Sequence, residues 1–452
     1  MKVMKFGGSS MADEKTWNQI LAIVTANRQS VVVVSAIYKA TNGLLEASEL
    51  ARNGHYDDAI KLSNHLKGRH KSIITNFFSS SNILCTDPLE AECQTWIDDN
   101  FHQLDEYLLS IYKLRELNNK TIDIISSLGE RLSAYLLAAC GRATGLDTVY
   151  IDAGTVIYTD DDFGKANPDF NKINSASKRL ATLISEGKTP VMGGFYGNSP
   201  DGEITTLGRG GSDYSASLVG SALNAEAIEI WTDVDGMYTC DPRYVKQARL
   251  IPEIGYDEAA ELAYFGAKVL HPATIQPAVE KEIPVYIKNT FSADKPGTKI
   301  CRESRIDADV RAIAFKQDIT IVTITSSRML MAYGFLARVF STFEKYAVSV
   351  DLVTTSEVSI SMTVDTKTNL DFVLDELKQY GRVESESGQS LICLVGRNFN
   401  KASGIAVRVF EALSGIPVRM ITQGSSDINL SLVVDNKMVT KSIQALHDKF
   451  FS

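Results

Sequence analysis

The sequence predicts an α/β region with a largely parallel sheet over residues 1–293, followed by two small α+β units. Three observations predict it. Short apolar strand-like segments alternate with segments of helical period through the first part of the chain. A glycine loop, Leu207-Gly-Arg-Gly-Gly-Ser-Asp213, opens onto an apolar helical run. The C-terminal stretch repeats itself: Arg338-Val-Phe340 matches Arg408-Val-Phe410, Val364-Asp365 matches Val434-Asp435, and Ser356-Glu357 falls on Ser426-Asp427, all without a gap.

A chain of 452 residues implies two or three domains, and 44% apolar with 22% charged residues describes an ordinary globular protein. The net charge of −9 argues against nucleic acid as a partner but leaves room for one small anionic substrate. Cysteines 85, 93, 140, 240, 301 and 393 are scattered, with no metal-type spacing to histidine, and read as reduced thiols. No signal peptide or long apolar run is visible, so a cytoplasmic, non-membrane protein is expected.

Met1 to Phe6 reads as the first strand, broken by Gly7-Gly8-Ser9-Ser10 and followed by a helix with Trp17, Ile20, Leu21 and Val24 at helical spacing. Lys5 ends that strand. It reads either as a phosphate ligand whose glycine neighbours admit close approach or as a solvated lysine at a tight turn. Neither a Walker A nor a Rossmann glycine pattern is satisfied. Val31–Val34 is a second buried strand, followed by Ser35 and a polar loop with Lys39, Thr41 and Asn42. That loop suits a substrate or ordinary turn chemistry. Residues 44 to about 120 read as mainly helical. An amphipathic helix is expected over Ile124–Thr144, interrupted near Gly129-Glu130-Arg131. Glu130 fits a surface partner of Arg131 or a carboxylate that holds a substrate ammonium.

Strands are expected at Thr148–Ile151 and Pro190–Met192, a helix at 174–187, and a hairpin around Asn198–Gly202. The Asp162-Phe-Gly164 triplet lacks every other part of a protein-kinase site and is set aside. Arg209, Gly210, Gly211 and Ser212 then combine a planar cation with backbone N–H groups at a helix N-terminus, which suits a carboxylate or phosphate. The strand Ala227–Trp231 ends in Thr232-Asp233-Val-Asp-Gly236, with Tyr238 and Arg243 close behind. Ligands of open α/β sheets sit outside such strand ends. Lys268 stands in an apolar setting before Pro272, either as a second phosphate lysine or as a snorkelling side chain. Pro284–Ile287 reads as the last strand, and residues 292–305 as loop or linker.

Four motifs now stand in order: Lys5-Phe-Gly-Gly-Ser-Ser10, Gly208-Arg-Gly-Gly-Ser-Asp213, Trp231-Thr-Asp-Val-Asp-Gly236 and Phe265-Gly-Ala-Lys-Val-Leu-His-Pro272. Together they resemble the aspartate kinases, over essentially the whole chain, and the C-terminal repeat resembles paired ACT domains. The chain is most similar to the monofunctional, lysine-sensitive class. The resemblance implies an amino acid kinase fold at 1–293, a linker at 294–307, a first ACT domain at 318–391, and a second built from 308–316 with 392–452. It implies transfer of the γ-phosphoryl of ATP, carried with Mg2+, to the β-carboxylate of L-aspartate, and feedback inhibition by an amino acid such as lysine. A homodimer through the ACT domains, with a tetramer as a further assembly, is also implied.

The same resemblance assigns Lys5, Asp213 and Lys268 to catalysis. It gives the nucleotide to Lys5, Gly7, Gly8, Ser9, Thr232, Asp233, Tyr238, Arg243, Lys268 and Val269. Aspartate goes to Ser35, Thr41, Glu130, Arg209, Gly210, Gly211 and Ser212, with Glu130 on the α-ammonium and Arg209 on a carboxylate. The effector goes to Met329, Gly334, Phe335, Leu336, Ser349, Val350, Asp351, Thr355 and Ser356, with Asp351 facing its ammonium. The sequence departs from the family pattern at apolar Met331-Ala332-Tyr333 and at bulky Ile37-Tyr38. The competing readings are a kinase for another acid, such as acetylglutamate, and a catalytically silent amino-acid sensor.

Overall fold

Lys-Val-Met-Lys-Phe at Lys2–Phe6 and the valine-rich Ser30–Val34 pair as parallel strands and are largely buried, as expected of inner strands of a parallel sheet. The computed structural model describes residues 1–80, 88–266, 270–304, 308–329, 333–401, 403–424 and 426–451. It divides into two compact units, residues 1–237 with 269–304, and residues 238–268 with 305–452.

Within the first unit the strands lie in the order Thr148–Ile151, Thr189–Gly193, Ser30–Val34, Lys2–Phe6, Ala227–Thr232, Val285–Asn289 and Thr298–Cys301. The first six are mutually parallel, and only the last pairs antiparallel. Helices Ala40–Arg52, Tyr56–Phe78, Leu89–Leu114 and Asn119–Ala143 contribute apolar stripes to one large core that also takes Met4, Phe6, Val32 and Val34 from the sheet. The helix Asn119–Ala143 runs without interruption through Gly129 and Glu130, unlike the break expected there. Gly129 is needed for contact instead: a Cβ on it would lie 2.8 Å from that of Ala36. The segment expected as linker holds a strand, Thr298–Cys301, because buried Thr298 and Ile300 alternate with more exposed Lys299 and Cys301 and pair with Val285–Ile287.

In the second unit one six-stranded antiparallel sheet runs in the order Val353–Thr355, Ser359–Val364, Val310–Thr325, Arg382–Gly396, Asn429–Asp435, Met420–Gln423. The two long central strands serve both halves of the repeat. Thr320–Thr325 pairs with Ser359–Val364, whereas Val310–Lys316 pairs with Leu391–Gly396. Each half adds two helices, Phe335–Lys345 with Leu370–Leu377 and Ile405–Ala412 with Val439–Phe451, and each has its own apolar cluster. The equivalent glycines Gly334 and Gly404 start the first helices in the left-handed region, at φ 74° and 88°.

Residues 238–266, expected within the catalytic region, pack instead with this C-terminal unit. Cys240 and Val245 enter its core. Glu258, 1% exposed, pairs with Arg311 at 3.2 Å and Arg397 at 3.3 Å, and the Asn429 amide donates to Glu261 at 2.8 Å. Leaving Glu258 buried without these cations would be costly, so the segment is tied where they are. The cysteines Cys93, Cys140, Cys240 and Cys393 are buried free thiols, and Cys301 is half-buried; Cys85 lies outside the described residues. Among the described residues no helix is long and apolar enough to cross a membrane.

Candidate active site

Four parallel strands end level with one another. Phe6 is in register with Val34 and with Trp231, and Val34 with Gly193. Just beyond these ends the chain turns through Gly7-Gly8, Ser35-Ala36, Gly194 and Asp233. Backbone bonds continue the sheet into the turns: Gly7 N–H donates to Trp231, Ser35 N–H to Phe6 and Gly194 N–H to Val34, each at 3.0 Å. This is the carboxyl edge of the sheet, where open α/β folds place ligands.

The helix Gly211–Ala222 comes down onto this edge, starting two residues before the expected Asp213 because Gly210 turns the chain in the left-handed region (φ 69°). Its first turn carries Ser212 and Asp213. The Lys5 ammonium, at the end of its buried strand, meets the Asp213 carboxylate at 2.6 Å, with both side chains about nine-tenths buried (11% and 12% exposed). The solvated-lysine alternative for Lys5 is thereby removed. The Ser212 hydroxyl donates to Glu130 Oε1 at 2.7 Å. Glu130 is 5% exposed and is no surface partner of Arg131. Burial pushes its carboxyl up to about 7, opposed by the Ser212 hydroxyl, the Lys5 charge and the amides of Gly194 and Ala36. Its Oε2 is buried without a hydrogen-bond partner of ordinary geometry.

The remaining first-unit residues surround this cluster. Thr41 lies in the first turn of Ala40–Arg52, its hydroxyl 3.7 Å from a Cβ built on Gly129. Ser35 is half-buried, and so are Gly8 and Ser9 in the first glycine turn. Arg209 is exposed between Gly208 and Gly210, and no carboxylate among the described residues pairs with it. Thr232 donates to exposed Asp233 at 3.1 Å. Tyr238 and Arg243 belong to the second unit, where Arg243 forks onto Asp241 at 2.6 Å and Tyr238 bridges to Leu250. Lys268 and Val269 lie outside the described residues. Of the two family departures, Ile37 is buried and Tyr38 is 47% exposed, its carbonyl accepting from Arg69 at 2.8 Å.

Sequence reasoning passed over Gly194. A Cβ there would lie 2.6 Å from the Ser212 Cα, so only glycine lets the helix start reach Glu130. The available signal was a glycine pair directly after a buried strand, the same pattern as Gly7-Gly8. Gly194→Ala is expected to cost about 1–3 kcal/mol of stability by overpacking, read as a lower urea midpoint.

The expected effector residues gather around the helix Phe335–Lys345 in the second unit. Phe335 is buried and Leu336 43% exposed behind the Gly334 turn; Met329 and Val350 are half-buried, and Ser349, Thr355 and Ser356 exposed. The Asp351 carboxylate, 3% exposed, is already engaged: Tyr264 donates to it at 2.9 Å and the Lys316 ammonium stands at 3.4 Å. Lys316 also pairs with Asp365 at 2.6 Å. Burial and then Asp351 push the Tyr264 hydroxyl up to about 12, so it remains a donor. Met331 and Ala332 lie outside the described residues, and Tyr333 is exposed.

The amino acid kinase family model matches residues 1–289, and an ACT domain model matches residues 392–450. The chain is 39% identical to chloroplastic aspartokinase 3 of Arabidopsis thaliana over 99% of its own length and 81% of the relative's. It is 35% identical to lysine-sensitive aspartokinase 3 of Escherichia coli over 99% of both chains. Among solved structures, E. coli aspartokinase III in complex with lysine and aspartate aligns over 100% of both chains with TM-score 0.86 at 34% identity. The same enzyme in complex with aspartate and ADP gives TM-score 0.82 over 100% of both chains at 34% identity. With Lys5 at the end of a parallel strand, Asp213 and Glu130 on helices that meet that edge of the sheet, a duplicated C-terminal unit later in the sequence, and these likenesses along its full length, the chain belongs to the aspartokinases of the amino acid kinase family.

Proposed function

We propose that this protein transfers the γ-phosphoryl group of ATP to the β-carboxylate of L-aspartate as a cytoplasmic enzyme of amino-acid biosynthesis, and that lysine inhibits it through the C-terminal unit. The observation that carries the reading is buried Glu130, whose carboxyl feels the charge of Lys5, the lysine that Asp213 holds at the strand ends. A carboxylate acceptor is already ionised and needs no general base. Catalysis then reduces to holding two anions together and neutralising the charge that develops between them. Lys5 supplies that positive charge, and Asp213 keeps its ammonium over the strand ends. Gly8 and Ser9 offer backbone N–H groups to phosphate, while Gly7, whose own N–H is taken by the Trp231 carbonyl, admits its close approach. Thr232 and Asp233 stand at the neighbouring strand end for the nucleotide, and the family resemblance adds Tyr238, Arg243, Lys268 and Val269. Glu130 takes the α-ammonium of aspartate, Arg209 a carboxylate, and Ser35, Thr41 and Gly210–Ser212 line the same pocket.

The donor set fits a magnesium ion carried with the nucleotide: one carboxylate, Asp213, stands beside the phosphate lysine, and such an ion keeps most of its oxygen ligands from phosphate and water. When bound it neutralises phosphate charge. We divide the chain into a catalytic domain within 1–293, from which 238–266 are taken by the C-terminal unit, a connection at 294–307 whose Thr298–Cys301 joins the catalytic sheet, and ACT domains at 318–391 and at 308–316 with 392–452. The sharing of the two long central strands between the halves supports the interleaved division of the last two. A homodimer through this unit is supported by its exposed apolar residues Val407, Phe410 and Ile421, the last on an edge strand that a second copy would cover. Sedimentation should give twice the chain mass.

The test is trapping of the acyl phosphate with hydroxylamine. Purified protein with Mg-ATP and L-aspartate should yield aspartyl hydroxamate, and lysine should suppress it where threonine does not. No hydroxamate at any aspartate concentration, with ATP still bound, would defeat the proposal. For the effector, the ammonium must displace Lys316 and Tyr264 from Asp351. Asp351→Ala should therefore raise the half-inhibiting lysine concentration by at least ~10-fold, the loss expected of one charged hydrogen-bonding partner. An unshifted inhibition curve removes Asp351 from the effector site.

A further inference from the structure

A second buried carboxylate lies on the helix that carries Glu130 and takes no part in the chemistry above. Asp123 is 0% exposed. Its Oδ2 accepts the Gly164 and Thr206 backbone N–H groups, each at 2.9 Å, and its Oδ1 accepts the Thr206 hydroxyl at 2.6 Å. All of these partners donate, an arrangement that suits an ionised carboxylate and not an amide, whose NH2 would face donors. Burial raises the Asp123 carboxyl above its usual range, and these same bonds hold it down.

Asp123 and Glu130 are two helical turns apart and so lie on one face, about 10 Å apart along the axis. Thr206 and Ser212, their partners, bracket the loop Leu207–Gly211 that presents Arg209. The loop is fastened to one rigid helix at both ends: to Asp123 where it leaves the hairpin strand Ile204–Thr206, and to Glu130 where it enters the helix Gly211–Ala222. Between these points Gly208 and Gly210 turn in the left-handed region, at φ 73° and 69°. A third contact, Leu207 N–H to the Phe195 carbonyl at 2.8 Å, holds the backbone in between. Fixed ends and two turns set where the Arg209 backbone stands relative to Glu130.

We infer that Asp123 is a positioning residue for the acceptor: it fixes the spacing between Arg209 and Glu130, and with it the length of the amino acid that can bridge them. An α-amino dicarboxylate spans the two, its ammonium at Glu130 and a carboxylate at Arg209. The inference rests on the assignment of those two residues to aspartate. It predicts a loss in acceptor affinity with the nucleotide side untouched, because among the described residues the hydrogen bonds of Asp123 go to Gly164 and Thr206 and not to the Lys5 strand or the first glycine turn.

The experiment is steady-state hydroxamate kinetics with aspartate varied at saturating ATP, and then the reverse, accompanied by melting temperatures. Asp123→Asn and Thr206→Val are each expected to raise the aspartate KM about 10- to 100-fold, the cost of misplacing a binding group by about 1 Å. Their ATP KM should stay within about twofold and kcat within about threefold, a split that marks lost acceptor binding. Thr206→Ser, which keeps the hydroxyl, should restore the wild-type aspartate KM. If Asp123→Asn fails to fold, the Thr206 pair carries the test alone. Lower melting temperatures with an unchanged aspartate KM, while Arg209→Ala raises it, would make Asp123 merely structural and overturn the inference. An Arg209→Ala enzyme with unchanged aspartate KM would overturn the role of the whole loop, and this inference with it.

Discussion

In a Lys5→Ala enzyme, aspartyl hydroxamate formation should fall at least ~100-fold in kcat, the usual consequence of removing one preorganised partner of transition-state charge. Lys5 is placed for a large effect. Its ammonium is held by Asp213 at 2.6 Å in a site from which water is mostly excluded, so little of its charge is screened. Without it, the Asp213 carboxylate would face incoming phosphates as a bare negative charge. A second consequence separates this role from a general loss of folding. Lys5 also holds down the Glu130 carboxyl, so its removal raises that group further and weakens aspartate binding near neutral pH. Raising the pH should recover the aspartate KM but leave the kcat deficit in place. Lysine binding, measured by calorimetry, should survive, because the residues proposed for the effector lie in the other unit. A fall in kcat under about threefold would remove Lys5 from the catalytic role, since general and electrostatic contributions of such groups run far above that.

The sheet was legible because inner parallel strands must be apolar on both faces: Met1–Phe6, Val31–Val34 and Ala227–Trp231 stand out against their polar flanks and emerge as Lys2–Phe6, Ser30–Val34 and Ala227–Thr232. The repeat was legible because Arg338-Val-Phe340 and Val364-Asp365 recur without a gap as Arg408-Val-Phe410 and Val434-Asp435, and these fall in the equivalent helices Phe335–Lys345 and Ile405–Ala412 and the equivalent strands Ser359–Val364 and Asn429–Asp435. Thr298–Cys301 was not. It sits behind Lys-Pro-Gly, and a four-residue strand carries too little alternation to outweigh that turn signal. The allegiance of 238–266 was hidden for a different reason. It depends on Glu258 meeting Arg311 and Arg397, and nothing local in the sequence announces partners so distant.

The site divides along the same line. Lys5, Gly7, Gly8 and the Arg209 loop announce themselves through local glycine chemistry at strand and helix ends. Glu130 reads locally as one more charged residue on a helix, and its burial exists only because Gly129 admits Ala36 and Gly194 admits Ser212. Residues alone left its role open; resemblance to a family suggested one, and burial with the Ser212 bond supports it. Asp123 was missed outright, because its partners are Gly164 in a loop and Thr206 at the end of a three-residue hairpin strand, whose meeting no periodicity dictates.

Glu130→Gln should produce a protein that is more stable and much less active. Burial holds the Glu130 carboxyl at about 7 in the folded protein against 4.5 when unperturbed. With the folded value the higher one, the folded chain binds this proton more tightly than the unfolded chain. The associated stability is complete below about pH 4.5 and is lost as pH rises through about 7. Above that, the wild-type apo-protein carries the full penalty of a buried, half-satisfied charge, on the order of 3 kcal/mol, which glutamine does not incur. Urea unfolding at pH 8 should therefore show the variant to be the more stable, with the difference vanishing near pH 4. Binding reverses the balance. The ammonium of aspartate needs the ionised carboxylate, so the substitution should raise the aspartate KM by at least ~100-fold, as for one side of a buried charge pair. In the wild-type enzyme the same KM should climb about tenfold per pH unit below 7, because protons and the substrate ammonium compete for Glu130. The glutamine variant should lack that slope. A wild-type aspartate KM independent of pH between 5.5 and 7, expressed relative to the group's value of about 7, would take the ammonium away from Glu130. A protein that keeps an ionisable side chain where a neutral one folds better has that side chain for binding.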